Sequence, residues 1–93
     1  MPHTYLKVRW IHDFPDEPVE LYSELDDDRY EVRKVEIFPN GRRSRADQHT
    51  TTGATYLGQI PVPTPEEIAE DHQFVPTTIT QQEFDQTWTS AEG

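Results

Sequence analysis

Residues 29–41 read Arg29-Tyr30-Glu31-Val32-Arg33-Lys34-Val35-Glu36-Ile37-Phe38-Pro39-Asn40-Gly41. Apolar and polar side chains alternate along most of this stretch, the period of a strand with one face on a core. The phase slips once, because Tyr30 and Val32 are even whereas Val35 and Ile37 are odd. One extra residue at Arg33-Lys34, a β-bulge, returns both pairs to one face; a strand covered on both sides is the alternative. Asn40-Gly41 then signals a hairpin, since both residues tolerate positive φ. A further strand is expected from near Arg42.

Working toward the amino terminus, Asp26-Asp27-Asp28 reads as a turn. Before it, Val19, Leu21, Ser23 and Leu25 share one face while Glu20, Tyr22 and Glu24 take the other, giving a second strand. Phe14-Pro15-Asp16-Glu17-Pro18 cannot continue a ladder, because proline lacks an N–H and restrains its predecessor; it is an ordered loop. Leu6, Val8 and Trp10 alternate with Lys7, Arg9 and Ile11 in a first strand.

Working toward the carboxyl terminus, Arg42 to Thr52 is polar and suits an edge strand or a solvated face. Thr55-Tyr56-Leu57 suggests a last short strand before Gly58, and Ile60-Pro61-Val62-Pro63 is extended. Thr64-Pro65-Glu66-Glu67 has the order of a capping box with proline at the first helical position. Thr80-Gln81-Gln82-Glu83 repeats the box, and Phe84 with Trp88 at i, i+4 supplies an apolar stripe that predicts docking on the sheet. The expected fold is α+β: a twisted antiparallel sheet of about four to five strands followed by one or two C-terminal helices packed on one face. Residues 1–89 form a single domain, with a frayed tail over 90–93. The opposite face, with Glu20, Tyr22, Glu24, Lys7 and Arg9, is expected to be open for recognition.

A chain of 93 residues buries only about 60–65% of its unfolded surface, so a surface function is favoured over an internal active site. Eighteen acidic against eight basic residues give a net charge of −10, which repels nucleic acid and anionic membranes. From Asp13 to Asp28 there are eight carboxylates and no Lys or Arg, and no Lys or Arg follows Arg45. Such a layout suits a basic protein partner. Without cysteine, disulfides and thiolate chemistry are excluded, which fits a reducing compartment. No apolar run is long enough to span a bilayer and no signal-peptide order opens the chain, so the expectation is a cytoplasmic protein with no nucleic-acid or membrane partner.

The segments Trp10-Ile11-His12-Asp13-Phe14-Pro15-Asp16-Glu17-Pro18 and Tyr22 through Phe38 resemble a family of small bacterial single-domain proteins known only as a domain of unknown function, family 6881. The likeness covers nearly the whole chain. It implies a bacterial, single-domain protein and transfers no functional residue.

Each candidate site has a plainer reading beside it. His12 and Asp13 with Asp16 and Glu17 have the chemistry of a divalent-metal or acid/base site, yet no second histidine stands at a metal-site spacing. A packed His12 beside an Asp13 that accepts loop N–H groups is the simpler account. Asp26-Asp27-Asp28 lacks the order of a calcium loop and reads as a solvated turn. Arg29, Arg33, Lys34, Arg42, Arg43 and Arg45 are expected to pair with Glu31, Glu36 and the acidic loop. His49-Thr50-Thr51-Thr52-Gly53 has no phosphate-loop lysine and reads as loop or edge strand. Trp10, Tyr22 and Tyr30 read as core or sheet-face aromatics, with Tyr22, between Glu20 and Glu24, the candidate anchor for a protein partner.

The leading expectation is a small acidic protein-binding module, with an immunity protein or inhibitor of a basic toxin or enzyme as one form of it. Its binding residues would be Asp13, Asp16, Glu17, Glu20, Tyr22, Glu24, Asp26, Asp27 and Asp28, with no catalytic residue, cofactor or metal ligand. The alternative is a small-ligand or divalent-metal domain, or an enzyme, using the His12/Asp13 loop.

Overall fold

The computed structural model describes residues 3–51 and 55–91. Five strands form one antiparallel sheet: β1 (Thr4–Trp10), β2 (Glu20–Leu25), β3 (Glu31–Ile37), β4 (Arg43–Ala46) and β5 (Phe74–Ile79), in the order β4-β3-β2-β1-β5. Two helices complete it, α1 (Pro65–Ile68) and α2 (Gln81–Ser90). The fold is α+β, as the alternation and the capping boxes predict.

The slip in β3 lies one residue earlier than expected. Glu24 pairs with Arg33 but Leu25 with Glu31, so Val32 is the extra residue. Asp26–Arg29 turns the chain between β2 and β3: the Asp26 carboxylate accepts the N–H groups of Asp28 at 2.9 Å and Tyr30 at 3.0 Å, and Arg29 takes φ +67°. In the β3–β4 hairpin only Gly41 has positive φ, +87°, and Phe38 N–H donates to Arg42 at 2.9 Å. That is a three-residue loop with glycine in the left-handed position, rather than a two-residue Asn-Gly turn.

The fifth strand is not where the sequence suggests. Thr55-Tyr56-Leu57 belongs to no strand, although Thr55 is buried with its hydroxyl donating to Glu36 at 2.6 Å. Phe74–Ile79 instead pairs with β1, Val8 opposite Pro76, on an edge where proline is tolerated. Thr51 makes an isolated bridge to Ala46; Thr52 and Gly53, in the stretch read as loop or edge strand, lie outside the described residues.

Both capping boxes form. Thr64 accepts Glu67 N–H at 3.3 Å and Thr80 accepts Glu83 N–H at 3.1 Å, each answered by the glutamate on the threonine N–H. Helix α1 is one turn with only Ile68 to bury. Helix α2 buries Phe84 completely and packs with Trp88 and Ala91 against Val35, Ile37, Tyr5, Tyr22 and Ile79. The boundary expected at residue 90 falls at the end of α2, and Ala91 is part of this core; 92–93 lie outside the described residues.

This packing reverses the expected faces. Strand register puts Tyr5, Lys7, Arg9, Glu20, Tyr22, Glu24, Arg33 and Val35 on one face, the face that α2 covers. The cause is the Phe84/Trp88 stripe, which finds rings and branched aliphatics there. The other face carries Leu6, Val8, Leu21 and Ser23, and the long crossover through α1 passes over it. Arg29 pins that crossover, donating to the carbonyls of Val62 and Pro63, each at 2.8 Å.

Candidate protein interface

The expected binding residues do not form one patch. Asp13, Asp16 and Glu17 precede β2, whereas Asp26, Asp27 and Asp28 follow it. Six extended residues between them span about 20 Å. Asp26 is committed to its turn, and Asp27 and Asp28 are exposed.

Glu24 is structural. It is only 7% exposed; His3 Nδ1 lies 2.7 Å from Oε2, Tyr5 donates its hydroxyl there at 3.2 Å, and Arg33 Nε–H donates to Oε1. Burial pushes this carboxyl up, but the hydrogen bonds from His3 and Arg33 and the charge of Arg33 outweigh it and hold it below its ordinary value. Arg33 also donates to Asp85 at 2.8 Å and lies over the rings of Phe84 and Trp88. Tyr22 is half-buried against the α2 core, with Lys7 over its ring at 5.7 Å, and Lys7 pairs with Glu20 at 3.1 Å. The ring of Tyr22, the anchor expected from sequence, is therefore partly covered by α2 and only partly exposed.

The basic residues tie elements together more than they neutralise the acidic loop. Lys34 does lie between Glu31 and Glu36, at 3.8 and 4.0 Å. Arg43 instead donates to the Ser90 hydroxyl, Arg45 to the Trp88 carbonyl at 3.0 Å, and Arg42 stacks on Phe38 at 4.7 Å. Asp13, Asp16 and Glu17 stay exposed, with Lys34 lining a cleft beside Asp16 and Glu17.

Loop 11–18 has an ordered aromatic spine. Phe74 stacks on Trp10 with centroids 5.7 Å apart, Trp10 meets His12 edge-on at 4.3 Å, and His12 stacks on Phe14 at 5.4 Å. His12 fixes the loop through both nitrogens. Nδ1 accepts Phe14 N–H at 2.9 Å, so the ring proton sits on Nε2 and is donated to the Pro18 carbonyl at 2.8 Å. Neither nitrogen keeps a lone pair for a metal ion. Among the described residues no cluster of three or more His, Cys, Asp or Glu could hold one.

At the outer end of this spine Phe14 is 59% exposed, with Ile11 beside the loop at 53%. A shallow cleft of about 400 Å³ is lined by Trp10, Phe14, Asp16 and Glu17. Such a surface offers ring faces and free carboxylates together, the two groups that hold an arginine or lysine side chain. From sequence Trp10 reads as a core or sheet-face aromatic, and Phe14 is only part of a proline-bounded loop. Its available signal was the i, i+2 spacing Trp10-His12-Phe14 running into Pro15, since rings just past a strand end and before a proline cannot be drawn back into the ladder.

The model of a family described as Domain of unknown function (DUF6881) matches residues 4–93. No curated protein and no solved structure matches the chain. Among the described residues no helix is long and apolar enough to cross a membrane.

Proposed function

We propose that this chain, which belongs to the family described as Domain of unknown function (DUF6881), is a protein-binding module that meets a basic protein surface with loop 11–18. The observation that carries the reading is the exposed Phe14 ring, held by His12 and set among Asp13, Asp16 and Glu17. The carboxylates steer a cationic partner into contact, and the pre-ordered ring supplies apolar burial at low entropic cost. A cytoplasmic immunity protein or inhibitor, covering the cationic site of a toxin or enzyme, is the specific form that this chemistry suits.

The test is capture from the native cell extract by a tagged wild-type chain and by Phe14→Ala, at low and high salt. The expected result is one basic protein retained by wild type at low salt, released by high salt and not retained by Phe14→Ala. Equal retention by both chains overturns the reading.

A further inference from the structure

Val8 and Leu21 face each other across β1 and β2, the central pair of strands on the face away from α2. The middle of a sheet is where apolar side chains are normally most enclosed, yet both are only half-buried. Helix α1 is too short to cover them. Between it and the sheet runs a groove of about 370 Å³, floored by Leu6, Val8, Leu21 and Phe74 and walled by Val62 and Ile68.

Among the described residues the charged ones lining this groove are Glu31, Glu67 and Asp71, with no Lys or Arg. Each carboxylate has a local partner: Glu31 accepts from Ser23 at 3.0 Å and from Gly58 N–H at 2.6 Å and lies 3.8 Å from Lys34, Glu67 accepts from Thr64, and Asp71 accepts from Gln73 N–H at 3.0 Å. A carboxylate has about four acceptor sites, so Glu67 and Asp71 can still receive a cation. Arg29, which lies near Glu67, is directed at the carbonyls of Val62 and Pro63. An apolar floor under an anionic rim gives an apolar group burial, gives a neighbouring cation a partner, and repels anions.

Phe74 belongs both to this groove and to the aromatic spine, through its stack on Trp10. The groove thus borders the aromatic spine through Phe74. We infer that it is the anchor subsite of that interface, receiving an apolar side chain from a partner segment whose adjoining residues are lysine or arginine. This assignment rests on the protein-binding reading above and specifies the partner's chemistry.

The experiment is an NMR titration of the isotope-labelled full chain with three capped pentapeptides. One has leucine between two arginines, the second has glycine in place of leucine, and the third has leucine between two glutamates. The leucine–arginine peptide is expected to shift the methyl signals of Leu6, Val8, Leu21 and Ile68 saturably. It should bind roughly tenfold more tightly than the glycine peptide, as burying one aliphatic side chain implies, and the glutamate peptide should move none of these signals. Ile68→Lys, on the single-turn helix, should abolish the methyl response; if it disturbs the fold, the peptide comparison on the unchanged chain decides. Equal binding of the leucine and glycine peptides, or of the arginine and glutamate peptides, overturns the assignment. Shifts confined to Ile11 and Phe14 overturn the groove and leave the loop interface standing, whereas no shift at either place removes both.

Discussion

Glu24 on β2 and Arg33 on β3 are directly paired in register, and the guanidinium that donates to the carboxylate also reaches Asp85 on α2 and lies over Phe84 and Trp88. One ion pair therefore joins two strands to the helix that covers them. Its folded-state carboxyl value is depressed, so its contribution is present above the ordinary glutamate range and is lost as pH falls through the lower folded value. Wild-type stability should decline as pH drops below about 4.5, and Glu24→Gln should show a shallower decline in that window. At pH 7 the substitution should cost about 2 kcal/mol. This is less than the roughly 3–5 expected for a fully buried pair, because the Arg33 side chain remains 23% exposed. Urea unfolding across pH checks both; parallel curves for the two proteins would refute the linkage.

His12 should order loop 11–18 without carrying the fold. His12→Ala removes the acceptor of Phe14 N–H and the donor to Pro18, so exchange of the Phe14 amide should accelerate about tenfold while global stability changes by less than about 1 kcal/mol. His12→Asn keeps an acceptor at short range and should recover much of that protection. Hydrogen exchange at Phe14 decides the point; an unchanged rate in His12→Ala would show that the imidazole does not order the loop.

Arg29 sets two effects against each other. Its φ of +67° costs a non-glycine residue about 1 kcal/mol. Its side chain, however, makes two charge-assisted bonds to the crossover, at about 1 kcal/mol each in this partly exposed setting. Arg29→Gly should therefore be destabilising by about 1 kcal/mol, lowering Tm by roughly 4–8 °C. A higher Tm would mean that relief of strain outweighs the anchoring of Val62 and Pro63.

Local signals made most of the fold readable, and the missed parts depended on distant partners. The turns at Asp26 and Gly41 and the boxes at Thr64 and Thr80 are set by neighbours within four residues. Strand β5 was hidden because Pro76 interrupts it and Thr77-Thr78 are polar, features permitted only by its place at the sheet edge beside β1. Period-two alternation placed Glu20, Tyr22 and Glu24 on a common face but could not say which face Phe84 would cover. The acidic run was visible as charge. That its two halves lie at opposite ends of β2, and that Phe14 rather than Tyr22 is left exposed, follows from the hairpin path and the docking of α2.

The separation of those two halves yields the most discriminating electrostatic prediction. Charges about 20 Å apart lie two Debye lengths from each other at 0.1 M salt, so a partner seated on loop 11–18 feels the turn at 26–28 only weakly. Asp16→Lys combined with Glu17→Lys should slow association with the captured partner about tenfold at low salt, and the difference should shrink toward nothing near 1 M salt. Asp27→Lys combined with Asp28→Lys, an equal change of net charge at the other end of β2, should leave the rate within about twofold. Stopped-flow association of the two double variants measures the contrast directly. Equal slowing by both would place the effect in the overall charge of the chain, and the loop would lose its claim to be the docking site.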